Sequence, residues 1–390
     1  VWEAHLHSDQ TQAMDCVDVC IVGAGVIGLA LARTLASALP GRDIVLLEQH
    51  GQVGMETSSH NSEVIHAGLY YAPGSIKASC CVRGRELLYD YCNTMNIPHR
   101  RLGKLIVANL DEQAKLEQIL ARSRHNGVNS LQLLDAHQIK TLEPDVQADL
   151  ALWSPDTGII DSHSYMQHLL REAQSGGVML ACLTSLLGTR IDPTSNGFNL
   201  RLQSAGETMT LKCRVLINCA GLHAVDVARG IEGLHSQHIP RMQFIKGNYL
   251  RLSGRSPFTH LIYPVPDPAH RGLGIHATLD LGGQCRFGPD IEPVERLDLT
   301  VDSSRIPLFS KEIKRYYPGL DDTRLHVDYA GIRPRLITED GSAADFMIQN
   351  AATHSIDGLW QLFGIESPGL TASLAIAELV SNQIRDSGLF

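Results

Sequence analysis

The sequence predicts an α/β protein in two parts, a discontinuous domain on a parallel sheet and a β-rich (α+β) second domain. Three observations carry this expectation. Residues 17–48, VDVCIVGAGVIGLALARTLASALPGRDIVLLE, run in the order strand, glycine turn, helix, strand. Residues 215–221, VLINCAG, form a second apolar strand that also ends at glycine. In residues 359–371, LWQLFGIESPGLT, a third strand ends in a glycine- and proline-bearing turn that opens a helix.

Each glycine of the first unit has a physical task. Gly23 makes the tight turn, Gly25 lets backbone N–H groups approach a pyrophosphate, and Gly28 lets helix and strand pack closely. The positive end of the helix dipole points at the same place. Glu48 follows Gly28 by about 20 residues, where an acid accepts from ribose hydroxyls and disfavours a 2′-phosphate. A glycine turn alone also suits an ordinary α/β core. Strand, helix and acid together favour a Rossmann-like dinucleotide site, with NAD and FAD both open.

Length and composition narrow the class. A chain of 390 residues exceeds what one hydrophobic core usually holds, so two domains are expected. Net charge is −9 and no Lys/Arg block tracks a phosphate backbone, which argues against nucleic acid. No apolar run reaches the ~20 residues needed to span a bilayer, although peripheral membrane contact stays open. The nine cysteines lack CxxC spacing, and several lie in apolar runs as small buried hydrophobes; a reducing cytoplasm is expected. No His/Cys/Asp/Glu cluster has metal-ligand spacing, and no serine sits in a nucleophile elbow.

Residues 1–14 are polar and lack the apolar core of a signal peptide; they are expected to be a disordered leader, with Met14 a candidate start. Residues 57–71 hold many hydroxyl and amide groups among apolar neighbours, which pull the segment inward. Helices are expected over 79–95, from a cap at Asp111 to Gly127, from a cap at Asp135 to before Pro144, over 162–176 and over 308–316. Short strands separated by turns at Asp192-Pro193 and Ser195-Asn196-Gly197 fill 178–215. Strands over 261–265, 273–276 and 285–287 suit a sheet apart from the nucleotide domain. Residues 325–332 read as a strand leading into Arg333-Pro334-Arg335. Ser367 before Pro368 reads as an N-cap followed by an N1 proline. The dinucleotide domain is expected over 15–100, 151–240 and 326–390, and the second domain over 101–150 and 241–325.

Several segments carry a more specific likeness: TSSHNSEVIHAGLYYAPGSIKA (57–78), GKLIVA (103–108), VLINCAGLHA (215–224), YPVPDP (263–268), GLGIHATLDLGGQCRFGPD (272–290), YAGIRPRL (329–336) and FGIESPGLTASLAIAE (363–378). Together they resemble the FAD-dependent oxidoreductases of the D-amino-acid oxidase/glycine oxidase superfamily, and within it the L-2-hydroxyglutarate dehydrogenase/oxidase family. The likeness runs from about residue 18 to residue 380.

The resemblance implies FAD. Gly23, Gly25, Gly28 and Glu48 match its adenosine-side motif, and Thr57, Ser58, Asn61 and Ser62 match the loop beside the flavin. Asn218 and Gly221 match the second contact from the sheet. Gly364, Ile365, Glu366, Ser367, Gly369, Leu370 and Thr371 match the segment that closes over the ribityl chain and pyrimidine. A helix N-terminus there would stabilise an anionic reduced flavin. His60 and Gln361 depart from the arginine and asparagine common in related chains.

The implied reaction is oxidation of L-2-hydroxyglutarate or a related 2-hydroxy acid to the 2-oxo acid, by hydride transfer to flavin N5. It needs a carboxylate clamp and a base for the hydroxyl proton. Arg333 matches the clamp, with a structural ion pair as its plainer alternative. Arg335, Lys104 and Tyr263 are the further substrate-side candidates, although Arg335 is more simply a solvated arginine. His276 and His66 are the candidate bases, with a satisfied core histidine the alternative for each; His163 and His223 read as structural. An amino-acid or glycine oxidase, and a non-catalytic flavin- or NAD-binding redox sensor, are the competing functions. The acceptor of the electrons (oxygen, a quinone or a carrier protein) is left open.

Overall fold

The computed structural model describes residues 15–192, 197–266 and 274–390. The expected leader, most of the 193–197 turn and the Leu273 end of an expected strand lie outside these. Two large sheets divide the described chain. The first has eight strands there, and its centre is parallel: Met179–Ala181, Ile44–Leu47, Asp15–Val22, the C-terminal half of Glu207–Asn218, then Leu359–Phe363. Its central segments are near-continuous apolar runs because both faces are covered. The helices Val26–Ala38, Ile76–Met95, Ser162–Ser175 and Gly369–Asp386 bury one face in a single cluster that includes Ile21, Leu29, Leu46, Leu88 and Ile376. The antiparallel strands Thr184–Asp192 and Gly197–Ser204 extend the sheet through the N-terminal half of Glu207–Asn218.

The second sheet has nine strands among the described residues, with Met242–Leu252 paired to Cys285–Phe287, Glu292–Val294 and Leu325–Leu336. Lys104–Ala108 lies between Leu261–Pro264 and Leu150–Ser154. All five of its residues are buried, since it is internal to the sheet and covered on both faces. A three-stranded sheet of Val64–Ile65, Gly158–Ile160 and His99–Arg100 is the third.

Several expectations shift. Leu325–Leu336 does not return to the first sheet: it pairs along Met242–Leu252, so the boundary expected at 326 falls inside a strand of the second sheet. The boundary at 151 likewise cuts Leu150–Ser154. In both cases ladder hydrogen bonds, which no local pattern encodes, decide the assignment. Residues 274–276 lie outside any strand, with Gly274 at φ +75°, and the strand is Ala277–Leu279. The 308–316 helix is Ile306–Ile313. Asn109 rather than Asp111 caps the turn Leu110–Glu112 that precedes the helix Gln113–His125. Asp135 does cap Ala136–Leu142, accepting from Gln138 N. The last helix starts at Gly369 with Pro368 in the cap position, so Ser367 does not cap it.

Candidate active site

One cavity of about 520 Å³ runs between the two large sheets. At one end lies the glycine turn. Gly23 has φ +100°, and a Cβ on it would sit 2.7 Å from the Cys219 carbonyl oxygen. A Cβ on Gly28 would overlap the Gly23 carbonyl oxygen, so Gly28 is required by the turn itself, and it stands behind the cavity wall. Gly25 is on the wall, where a Cβ would sit 3.0 Å from Ser58 Oγ. Glu48 also reaches the wall, but its carboxylate accepts from Ala24 N at 3.0 Å and His50 N at 2.9 Å. It braces the turn whatever else it binds.

The 57–62 loop spends its polar groups on protein. Ser58 Oγ accepts from Val26 N at 3.0 Å, capping the first helix from a distant segment. Thr57 donates to Ile332 O at 2.8 Å, Asn61 Nδ2 to Ser58 O at 2.8 Å, and Ser62 pairs with the Tyr249 hydroxyl at 2.8 Å. All four residues still line the cavity, as does His60, whose Nδ1 lies 3.0 Å from Glu56 O. Asn218 differs: it is fully buried behind the wall, donating to Ala224 O at 2.8 Å and to Gln361 Oε1 at 2.6 Å. Its role is to hold the turn that brings Gly221 to the wall.

Ile365, Glu366, Ser367, Gly369 and Leu370 close another side, at the start of the 18-residue last helix. Gly364 and Thr371 are not on the wall. Gly364 packs on Leu336, and Thr371 Oγ1 accepts from His66 N at 3.0 Å. Burial pushes the Glu366 carboxyl up, but Lys77, at 3.2 Å, and Arg335 and Arg333 outweigh it and hold it below its ordinary value.

At the other end Arg333, His66, His276 and Tyr263 face the same space. Arg333 makes no ion pair among the described residues. His66 Nε2 lies 3.3 Å from Ser367 Oγ. Burial first, then the charges of Lys104 and Arg333, push His66 down to about 3. His276 is stacked on Tyr263, with centroids 3.5 Å apart and planes 11° from parallel. Two expected substrate-side residues are off the wall. Arg335 is committed to Glu366 at 3.4 Å, and Lys104 is fully buried behind Tyr263.

The structure adds a group that sequence reading missed. His223 Nε2 and His50 Nε2 lie 3.0 and 3.2 Å from Glu56 Oε1, and all three residues line the cavity near Glu48. The hydrogen bond to Glu56 raises the His223 pKa against the opposing effect of burial and so favours the charged form of the ring. No spacing links positions 50, 56 and 223, although each lies beside a motif: His50 two residues beyond Glu48, Glu56 just before Thr57 and His223 two residues beyond Gly221.

A family model described as FAD dependent oxidoreductase matches residues 18–383. The mitochondrial L-2-hydroxyglutarate dehydrogenase of Arabidopsis thaliana is 40% identical, covering 96% of this chain and 84% of its own length. The enzyme of the same name from Caenorhabditis elegans is 30% identical, covering 94% and 92%. Among solved structures, the L-alpha-glycerophosphate oxidase of Mycoplasma pneumoniae with FAD bound superposes with a TM-score of 0.84 at 26% identity, over 95% of each chain. Glycine oxidase from Geobacillus kaustophilus shares the fold, with a TM-score of 0.78 at 20% identity over 95% of each chain.

Proposed function

The chain belongs to the FAD dependent oxidoreductase family, and on that premise we propose that it oxidises L-2-hydroxyglutarate to the 2-oxo acid. The observation that carries the substrate is the 40% identity with a dehydrogenase of that name along nearly the whole chain. FAD, when bound, supplies the hydride acceptor. The residues present fit it. Gly25 leaves a cradle that a side chain would fill, and two helix N-termini, at Val26 and Gly369, open on the cavity. In our reading Gly25 and the Val26 helix start hold the pyrophosphate, Glu48 the ribose, and residues 57–62 and 365–370 the flavin. Asn218, Gly28, Gly364 and Thr371 shape backbone rather than touch the cofactor.

Arg333 pairs the α-carboxylate of the substrate, for which a guanidinium that makes no ion pair among the described residues is suited. His276 takes the hydroxyl proton. His66, held near 3, is too weak a base at neutral pH and is assigned to orient the site through Ser367. The nine cysteines are all free, which fits a reducing compartment; the cytoplasm expected from them and the mitochondrion in the relatives' names both qualify, and cell fractionation separates them. No helix of the described residues is long and apolar enough to cross a membrane.

Anaerobic mixing tests the substrate. The yellow protein should bleach with L-2-hydroxyglutarate and stay oxidised with glycine, alanine and glutamate. Bleaching by the amino acids alone would establish an amine oxidase instead.

A further inference from the structure

The mechanism above leaves one buried charged group without a task. Lys104 sits in the middle of the second sheet, fully buried. Its ammonium lies 4.5 Å from the Tyr263 ring centroid and 4.9 Å from that of Tyr70. The charged and titratable groups packed around it are few: Tyr70 and His66 from the loop after the third strand, Cys81 from the helix Ile76–Met95, and Tyr263 from the neighbouring strand. None is a carboxylate, and among the described residues Lys104 makes no ion pair. A lysine so placed is expensive unless its charge is used, because two ring faces replace only part of its hydration. Tyr263, whose ring packs against the ammonium, is on the cavity wall, and the charge of Lys104 reaches His66 on the same wall.

Resting on the reading of the substrate as a 2-hydroxydicarboxylate, we infer that Lys104 is a specificity-determining charge. It acts through the Tyr263 ring to favour a substrate carrying two carboxylates over one carrying a single carboxylate. Arg333 neutralises one negative charge, and a second would otherwise enter a dry cavity uncompensated. Lys104 offsets that second charge without touching it, since Coulomb interaction in a low-dielectric interior persists beyond contact distance. Its burial also makes the device titrate: desolvation pulls the lysine down to about 7, so the charge is present below that pH and fades above it. His66, held near 3, does not change charge over the same range.

The test compares flavin reduction, as kcat/KM, by L-2-hydroxyglutarate and by L-2-hydroxybutyrate, which carries one carboxylate. In Lys104→Met the preference for the dicarboxylate should fall by about tenfold. A preference within about twofold of the parent overturns the inference. The parent protein supplies a second reading should the variant fail to fold. Both acids stay fully ionised above pH 6, so their ratio cancels shared limbs and reports the lysine. The preference should decline as pH rises from 6 to 8.5, and a constant ratio across that range overturns the inference. A parent protein that neither acid reduces refutes the substrate reading, and the role of Lys104 with it; an unchanged preference in a protein that both reduce refutes Lys104 alone.

Discussion

At the scale of single residues, the substrate end of the cavity separates a clamp from a base. Arg333 should hold the carboxylate in ground and transition states alike. A charge-assisted pair contributes about 1.5–3 kcal/mol, so Arg333→Ala should raise the substrate dissociation constant tenfold to a hundredfold with a smaller loss in the reduction rate. His276→Ala should instead slow flavin reduction by about 10²–10⁴-fold with little change in binding. Rapid mixing resolves the two, and a slower rate in His66→Ala than in His276→Ala would reverse the assignment of the base. His66 also makes a pH prediction. Its pKa falls from 6.5 to about 3 in the folded protein, so between those values the unfolded chain binds a proton that the native one does not. The stability from burying the neutral ring is complete above 6.5 and is lost as pH falls toward 3, at about 1.4 kcal/mol per pH unit. In urea titrations the stability lost between pH 7 and pH 5 should be larger in the parent than in His66→Gln, the difference reporting this group.

At the scale of elements, the glycine turn does two separable jobs. Gly28 lets the helix Val26–Ala38 close on Gly23, and a methyl group there would meet backbone that cannot move aside. Gly28→Ala should cost about 1–3 kcal/mol of stability or more, read as an earlier urea midpoint even without cofactor. At Gly25 the added group meets only the Ser58 hydroxyl and the open cavity. Gly25→Val should therefore leave the fold in place and abolish FAD retention. Normal flavin content in Gly25→Val would show that this glycine serves the chain and not the ligand. The start of the last helix is a different design. Pro368 is in the cap position with no side-chain cap, Gly369 N donates to Glu366 O at 2.6 Å, and the helix start lines the cavity while Ser367 turns to His66.

At the scale of the whole molecule, the cavity is walled by both large sheets: Gly25 and Glu48 come with the first, Tyr263 and Arg333 with the second. A ligand there adds a bridge between two cores that already touch through Thr57 and Ile332, and Ser62 and Tyr249. Removing FAD should lower the thermal midpoint, and adding it back at about 100 times its dissociation constant should restore about 2.7 kcal/mol. A midpoint independent of FAD concentration would contradict that bridging role.

What was legible in the sequence was whatever depends on neighbours along the chain. The turn Gly23–Gly28, the apolar strands either side of it and the cap at Asp135 are local patterns, and each follows from dihedral freedom, periodicity or one short-range hydrogen bond. The resemblance added the cofactor and the names of the wall residues. Tertiary structure alone decided which candidates face the cavity. Leu325–Leu336 joined the second sheet because its ladder partners are some 80 residues away, and that register turned Arg333 to the wall and Arg335 to Glu366. Lys104 was read as a substrate ligand and lies behind Tyr263, because every position of an internal strand is buried whatever its residue type. The Glu56–His223–His50 group likewise forms only when distant segments meet. Sequence fixes what each short segment can become; the pairing of distant backbone groups, chosen to leave none of them buried without a partner, decides which side chains share one space.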